Sequence, residues 1–91
     1  MGTFHHDTHE LHGITCVVET AGPRLYVGRV HEAGPAGVLL HDVDVFDEVP
    51  GGPTKADYLA RAAQVGIWVK HKSFVVPAAE VASIRRLGAL A

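Results

Sequence analysis

Five short runs of residues rich in valine, isoleucine and aromatic side chains are separated by turns that contain glycine or proline. Runs of this kind are typical of β-strands. They cover residues 14–20, 25–32, 38–47, 67–76 and 81–87. Gly28 interrupts the second run, and a glycine inside a strand marks a sharp bend or a close approach of another backbone. The pattern therefore predicts an all-β fold, a small and strongly bent antiparallel barrel.

The connection at 47–66 is longer than the others and behaves as an insertion. It contains Pro-Gly-Gly-Pro at 50–53, the strongest chain breaker in the sequence. Residues 55–64, KADYLARAAQ, are rich in helix formers. They predict either a short helix capped by Thr54 or an extension of the third and fourth strands into a long hairpin.

The chain has 91 residues, which is enough for one domain and excludes a multidomain enzyme. We expect a polar, histidine-rich segment at 1–13, a single domain at 14–87 and a tail at 88–91. No apolar run approaches the roughly 20 residues of a membrane-spanning helix, and no signal peptide is visible. The single cysteine, Cys16, is expected to be buried, and its lack of a partner favours a reducing cytoplasm.

Several predicted strands are apolar on both faces, as in Val17-Val18 and Val38-Leu39-Leu40. A lone small barrel needs only one apolar face. We therefore expect another copy of the chain to cover the second face, which predicts a homo-oligomer.

The segment LYVGRVHEAGPAGVLL has a central glycine in an apolar strand, a tight turn, and then an apolar strand. It resembles the first Sm motif of the Sm, LSm and Hfq-type proteins. VPAAEVASIRRL resembles the end of the second Sm motif, and KHKSFVVP is similar to the Lys-His and Val-Val-Pro stretch of Hfq. The turn AGPAG lacks the Asp, the aromatic residue and the Asn that hold a base in that family, and the Arg-Gly or Lys-Gly of its second motif is also missing.

This resemblance implies a five-stranded SH3-like/Sm-like barrel, with a short helical turn at the N-terminus. It implies a closed, non-catalytic ring of about five to seven copies, in which the fourth strand of one copy pairs with the fifth of the next. The expected interface residues are Trp68, Phe74, Val76, Val81 and Ile84. Such a ring is a binding or scaffold module, with single-stranded RNA as the implied partner. No cofactor is expected, and a structural ring without nucleic acid is the alternative.

Lys70, His71 and Lys72 form a cationic cluster on a predicted strand. They are the expected RNA-binding residues, because repetition around a ring would give a strong local field on a chain of net charge −2. The competing interpretation is a solvated strand face with a lysine that protects a sheet edge. The net charge itself argues against a surface that grips nucleic acid throughout.

Four of the seven histidines lie in the first 13 residues. His5, His6, His9 and His12, with Asp7, are candidate ligands for zinc, nickel or copper, and His5 and His9 would share a helix face. Their spacing matches no metalloenzyme motif, so a polar terminus is the simpler interpretation. A group of acids between residues 42 and 48 is likewise expected to form a solvated outer face.

Overall fold

A five-stranded antiparallel sheet forms the centre of the computed structural model, which describes residues 11–90. The strands lie in the order β4-β3-β2-β1-β5, so β4 and β5 are the two edges. The elements are β1 (Thr15–Glu19), β2 (Arg24–Gly34), β3 (Gly37–Asp47), helix α1 (Lys55–Val65), β4 (His71–Pro77) and β5 (Ser83–Arg86), with 3₁₀ turns at Ala78–Glu80 and Leu87–Leu90. The predicted mainly-β architecture with five strands is confirmed.

The fourth strand is shorter than its apolar run predicts. It begins at His71 instead of residue 67, and residues 66–70 lead into it without joining the sheet. A backbone contact ties this segment to the sheet, because the Lys70 amide donates a hydrogen bond of 2.8 Å to the carbonyl of Val43. The side chains of Trp68 and Val69 are exposed in this segment. The β-branched and aromatic residues at 67–69 thus predict a strand, although their backbone runs close to the sheet without pairing with it.

Gly28 lies at a close approach of β2 to β3, in keeping with a glycine inside a strand. A Cβ atom at this position would lie 3.1 Å from the His41 carbonyl oxygen and 3.1 Å from a methyl group of Val43. Opposite Gly28, β3 carries one residue more than β2, and Asp42 adopts a positive φ of 54° there. An extra residue of this kind is a β-bulge, which bends the strand and increases its twist.

The sheet is apolar on both faces, and each face is packed within the same chain. One cluster contains buried residues such as Cys16, Val18, Tyr26, Leu40 and Val76. The expectation that Cys16 is buried is therefore confirmed. The second cluster consists of residues from β1, β2 and α1 together with the residue after β5, namely Val17, Leu25, Val27, Tyr58, Leu59, Ala62 and Leu87.

This packing corrects the argument that the second apolar face needs another copy of the chain, since α1 covers the face formed by β1 and β2. The turn after β5 also belongs to the core, because Leu87 is buried against α1. At the β3–β4 end of the sheet, Val75 remains 55% exposed beside its pairing partner Leu39. The surfaces left for contact with another copy are therefore the two sheet edges and the exposed side chains near Val75.

The segment 55–65 is a helix and not a hairpin extension, because its N-terminus is well capped. The Thr54 hydroxyl accepts a hydrogen bond from the Asp57 amide, and the Asp57 carboxylate accepts one from the Thr54 amide. This reciprocal arrangement is a capping box, which satisfies two free amides of the first turn. Gly66, with φ of 89°, ends the helix. No helix among residues 11–90 is long and apolar enough to cross a membrane.

Candidate functional site: a cleft between the helix and the sheet

A cleft of about 380 Å³ lies where α1, the end of β3 and the segment before β4 meet. Its principal lining residues are Asp44, Phe46, Tyr58, Arg61, Trp68 and Lys70. Clefts of roughly 300–1,000 Å³ are typical of small-molecule sites. Three segments that are distant in the sequence therefore contribute to one concave surface of suitable size.

The deepest polar group of the cleft is the carboxylate of Asp44, which is only 2% exposed. Its Oδ2 accepts a hydrogen bond of 2.5 Å from the Tyr58 hydroxyl. Its Oδ1 lies 3.0 Å from the ammonium group of Lys70, in an ion pair whose angle is too poor for a hydrogen bond. The Lys70 ammonium also donates to the Val45 carbonyl at 3.0 Å. The two neighbours offset the cost of burying this charge.

Tyr58 is held between the core and this carboxylate. Burial raises the pKa of its phenol well above the ordinary value, and the hydrogen bond to Asp44 raises it further. Its ring stacks on Phe46, with ring centres 4.6 Å apart and planes inclined by 17°. The two rings form an aromatic floor that is fixed by packing on one side and by hydrogen bonding on the other.

Trp68 and Arg61 complete the cleft from its open side. The Trp68 side chain is 75% exposed, although tryptophan is the largest apolar surface in the chain. Arg61 lies three residues after Tyr58, on the same face of α1. Its guanidinium forms no ion pair with any residue in the described range, whereas the Asp57 carboxylate on the rim is engaged by the Thr54 amide. The cleft thus presents a free aromatic surface and a free cation.

The three predicted RNA-binding residues are all exposed, but only one of the two lysines is without an ion-pair partner among the described residues. Lys70 lies before β4, and its charge is offset by Asp44. His71 and Lys72 are exposed at the start of β4, where the His71 ring lies 5.3 Å from that of Phe74. The free positive charge of this segment is therefore that of Lys72, and the free cation of the cleft is Arg61.

The prediction that the acids form a solvated outer face is wrong for Asp44, which is buried. The neighbouring acids are more exposed, but each of them has a partner within the chain. Asp42 forms an ion pair with Arg29, and Asp47 forms one with Arg24 at 2.8 Å. The hydrogen bond from Arg24 lowers the pKa of Asp47. Glu48 accepts a hydrogen bond of 2.9 Å from the Lys55 amide. Asp42 and Asp47 thus link β3 to β2, and Glu48 holds the first residue of α1, so these acids do not form a free carboxylate cluster.

Of the predicted metal ligands, His5, His6 and His9 lie outside the described residues, so the structure does not test them. His12 donates through Nδ1 to the carbonyl of His31 at 2.7 Å. The rings of His12 and His31 are 5.4 Å apart, and those of His31 and His41 stack at 4.6 Å. In the part of the chain from residue 11 to 90, no three metal-ligating side chains converge on one point.

The five predicted interface residues have different environments. Val76 is fully buried in the chain's own core, so its side chain is not available to another copy. Phe74, Val81 and Ile84 are half-buried and pack against the same core. Trp68 is the exposed member, and it lines the cleft.

Phe46, Tyr58 and Arg61 are not among the site residues that the sequence predicts. Tyr58 and Arg61 are three residues apart in a segment of helix formers, a spacing that would place them on one helix face. Because the sequence is also compatible with a hairpin in this segment, the spacing alone does not bring the two side chains together. Asp44 carried no signal, since alternation with Val43 and Val45 placed it on the solvent side.

No protein-family model matches the chain, and a search of curated proteins likewise returns no match.

Proposed function

We propose that the protein is a non-catalytic, self-assembling binding module of Sm-like build, whose copies pair head to tail through β4 and β5. The observation that carries this proposal is the strand order, which leaves β4 and β5 as opposite free edges of one sheet. The bend at Gly28 and the 3₁₀ turn at Ala78–Glu80, which lie in the two segments that resemble Sm motifs, support this proposal. Pairing of unlike edges produces a closed ring when the rotation between copies closes.

The free edge of β4 can be identified from its hydrogen bonding. Ala78 donates its amide to Ala36 on the β3 side at 3.1 Å. Amides alternate in direction along a strand, so those of Ser73 and Val75 point to the free edge. Pro77, which has no amide hydrogen, occupies another outward position. An unpaired edge of this kind is a template for a further strand unless it is protected.

Assembly is tested by Ser73→Pro, which removes one outward amide and leaves the bonds to β3 intact. We expect the unaltered chain to have about five to seven times the mass of one copy in size-exclusion chromatography with light scattering. Ser73→Pro is expected to shift it to the monomer. Ser73→Ala is the matched control and should assemble normally. A monomeric unaltered chain, or full assembly of Ser73→Pro, would contradict the proposal.

We further propose single-stranded RNA as a ligand of this module. The supporting observation is the succession of exposed Trp68, His71 and Lys72 at the entry to β4. An exposed aromatic ring beside cations is suited to stacking a base while holding the phosphate backbone. The free thiol of Cys16 is compatible with the reducing cytoplasm in which we place this function.

Binding of a uridine-rich oligonucleotide at moderate salt tests this ligand. Lys72→Gln is expected to weaken binding and to lower the slope of log affinity against log salt by about one. Arg29→Gln removes the same charge from β2, an inner strand of the sheet, and should leave binding unchanged. If the unaltered chain shows no binding at micromolar concentration, RNA is not a ligand.

A further inference from the structure

In the cleft between α1 and β3, the side chains of Trp68 and Arg61 are not used by the packing or the ion pairs of the described residues. The Trp68 side chain lines one wall of the cleft and is 75% exposed, so no part of residues 11–90 covers it. The aromatic floor of Phe46 and Tyr58 lies in the same cleft. Exposed tryptophan is unfavourable in water, and its face binds planar rings. The aromatic surfaces of the cleft therefore favour a flat, apolar ligand group.

The charged side chains that line the cleft indicate whether that ligand is an anion or a cation. Lys70 compensates Asp44, whose other oxygen accepts the hydrogen bond from Tyr58. The Asp57 carboxylate keeps its negative charge, but it accepts its hydrogen bond from the Thr54 amide at the start of α1. Arg61 has no acidic partner among the described residues. The cation of the cleft without an ion-pair partner is therefore a guanidinium, which favours the planar acceptor geometry of a carboxylate or a phosphate.

We propose that this cleft binds a small planar aromatic anion, whose ring contacts Trp68 and whose acidic group pairs with Arg61. Both a nucleoside monophosphate and an aromatic carboxylic acid have this chemistry. The volume of about 380 Å³ accommodates either. The inference goes beyond the proposed function, because one copy of the chain contains the whole site and assembly is not required.

The ligand class is tested with two pairs of probes that differ mainly in charge. Uridine monophosphate is compared with uridine, and phenylacetate with phenethylamine. Trp68 is the only tryptophan in the chain, so its fluorescence and its indole N–H resonance report directly on the cleft. We expect a saturable change with at least one of the two anions, and about tenfold weaker binding of its uncharged or cationic counterpart. The anion that binds identifies the source as a nucleotide or a carboxylic acid.

Variants separate this site from a general attraction to charge. Arg61→Gln is expected to weaken binding of the anion about tenfold or more, while Arg29→Gln, on the inner strand β2, leaves it unchanged. Trp68→Ala should abolish binding measured by calorimetry, and Trp68→Phe should retain part of it. Trp68 belongs to both the cleft and the proposed RNA surface, whereas Lys72 does not line the cleft. Lys72→Gln is therefore expected to reduce RNA binding and to leave binding of the small anion unchanged.

Three results would overturn the proposal: no saturable change with either anion, preferred binding of phenethylamine, or unchanged affinity in Arg61→Gln. Repeating the titration with monomeric Ser73→Pro keeps the test independent of assembly. Binding in that variant supports the site even if the chain forms no ring. Loss of binding in a folded monomer would show that the site needs a second copy and would overturn it as proposed.

Discussion

Replacing Gly37 with alanine is expected to lower the stability of the protein by about 3 kcal/mol or more. Gly37 begins β3 with a φ of 147°, which side-chain-bearing residues rarely adopt. A Cβ atom there would overlap the carbonyl oxygen of Val76 and lie 3.1 Å from the Ala78 amide. Because these are backbone atoms, they cannot move aside as a flexible side chain can. The β3–β4 pairing would have to shift.

Thermal unfolding followed by circular dichroism checks this prediction. A loss of 3 kcal/mol corresponds to a fall in Tm of more than about 12 °C for a domain of this size. Gly34→Ala is the matched control, since Gly34 pairs with Gly37 across the same turn and a Cβ there meets nothing within 4 Å. If Gly37→Ala unfolds within a few degrees of the parent protein, the close contact of β3 with Val76 does not exist in solution.

Replacing Tyr58 gives the second large effect, because this residue joins the helix to the sheet in two ways. Tyr58→Ala removes a buried ring from the second core cluster and should cost about 3 to 5 kcal/mol. Tyr58→Phe keeps the ring and removes only the hydroxyl. It should cost about 1 to 3 kcal/mol, because Asp44 Oδ2 loses its donor inside the protein. Urea unfolding of each variant measures these free energies.

A double-mutant cycle isolates the hydrogen bond from the packing. In an Asp44→Ala background, the hydroxyl has lost its partner, so Tyr58→Phe should be nearly neutral. Equal costs of Tyr58→Phe in both backgrounds would show that the hydroxyl and the carboxylate do not interact.

The same contact predicts how stability depends on pH. The pKa of Tyr58 in the folded protein is raised above its unfolded value of about 10. The contribution of the protonated Tyr58 hydroxyl to the free energy of unfolding is therefore fully present below pH 10. It is lost as pH rises above that value toward the folded pKa. Stability of the parent chain should therefore fall more steeply above pH 10 than that of Tyr58→Phe.

Local features of the chain were predictable because their causes are local. The β-branched runs specify the strands, Thr54 with Asp57 caps the helix, and Gly28 marks the bend. The end of the helical segment at Gly66 was also visible in the sequence. The start of the fourth strand was not, because Trp68 and Val69 have strand propensity whether or not their backbone pairs.

The sequence by itself determined the number and order of the strands, the bend at Gly28 and the burial of Cys16. These depend on side-chain periodicity and backbone preferences within a few residues. Only the tertiary structure decided that α1 covers the second face and that Asp44 meets Tyr58 and Lys70. The bulge at Asp42 changes the alternation of β3, and the partners come from distant segments. Neither effect is encoded in a local pattern, so the cleft emerges only when the helix packs on the sheet.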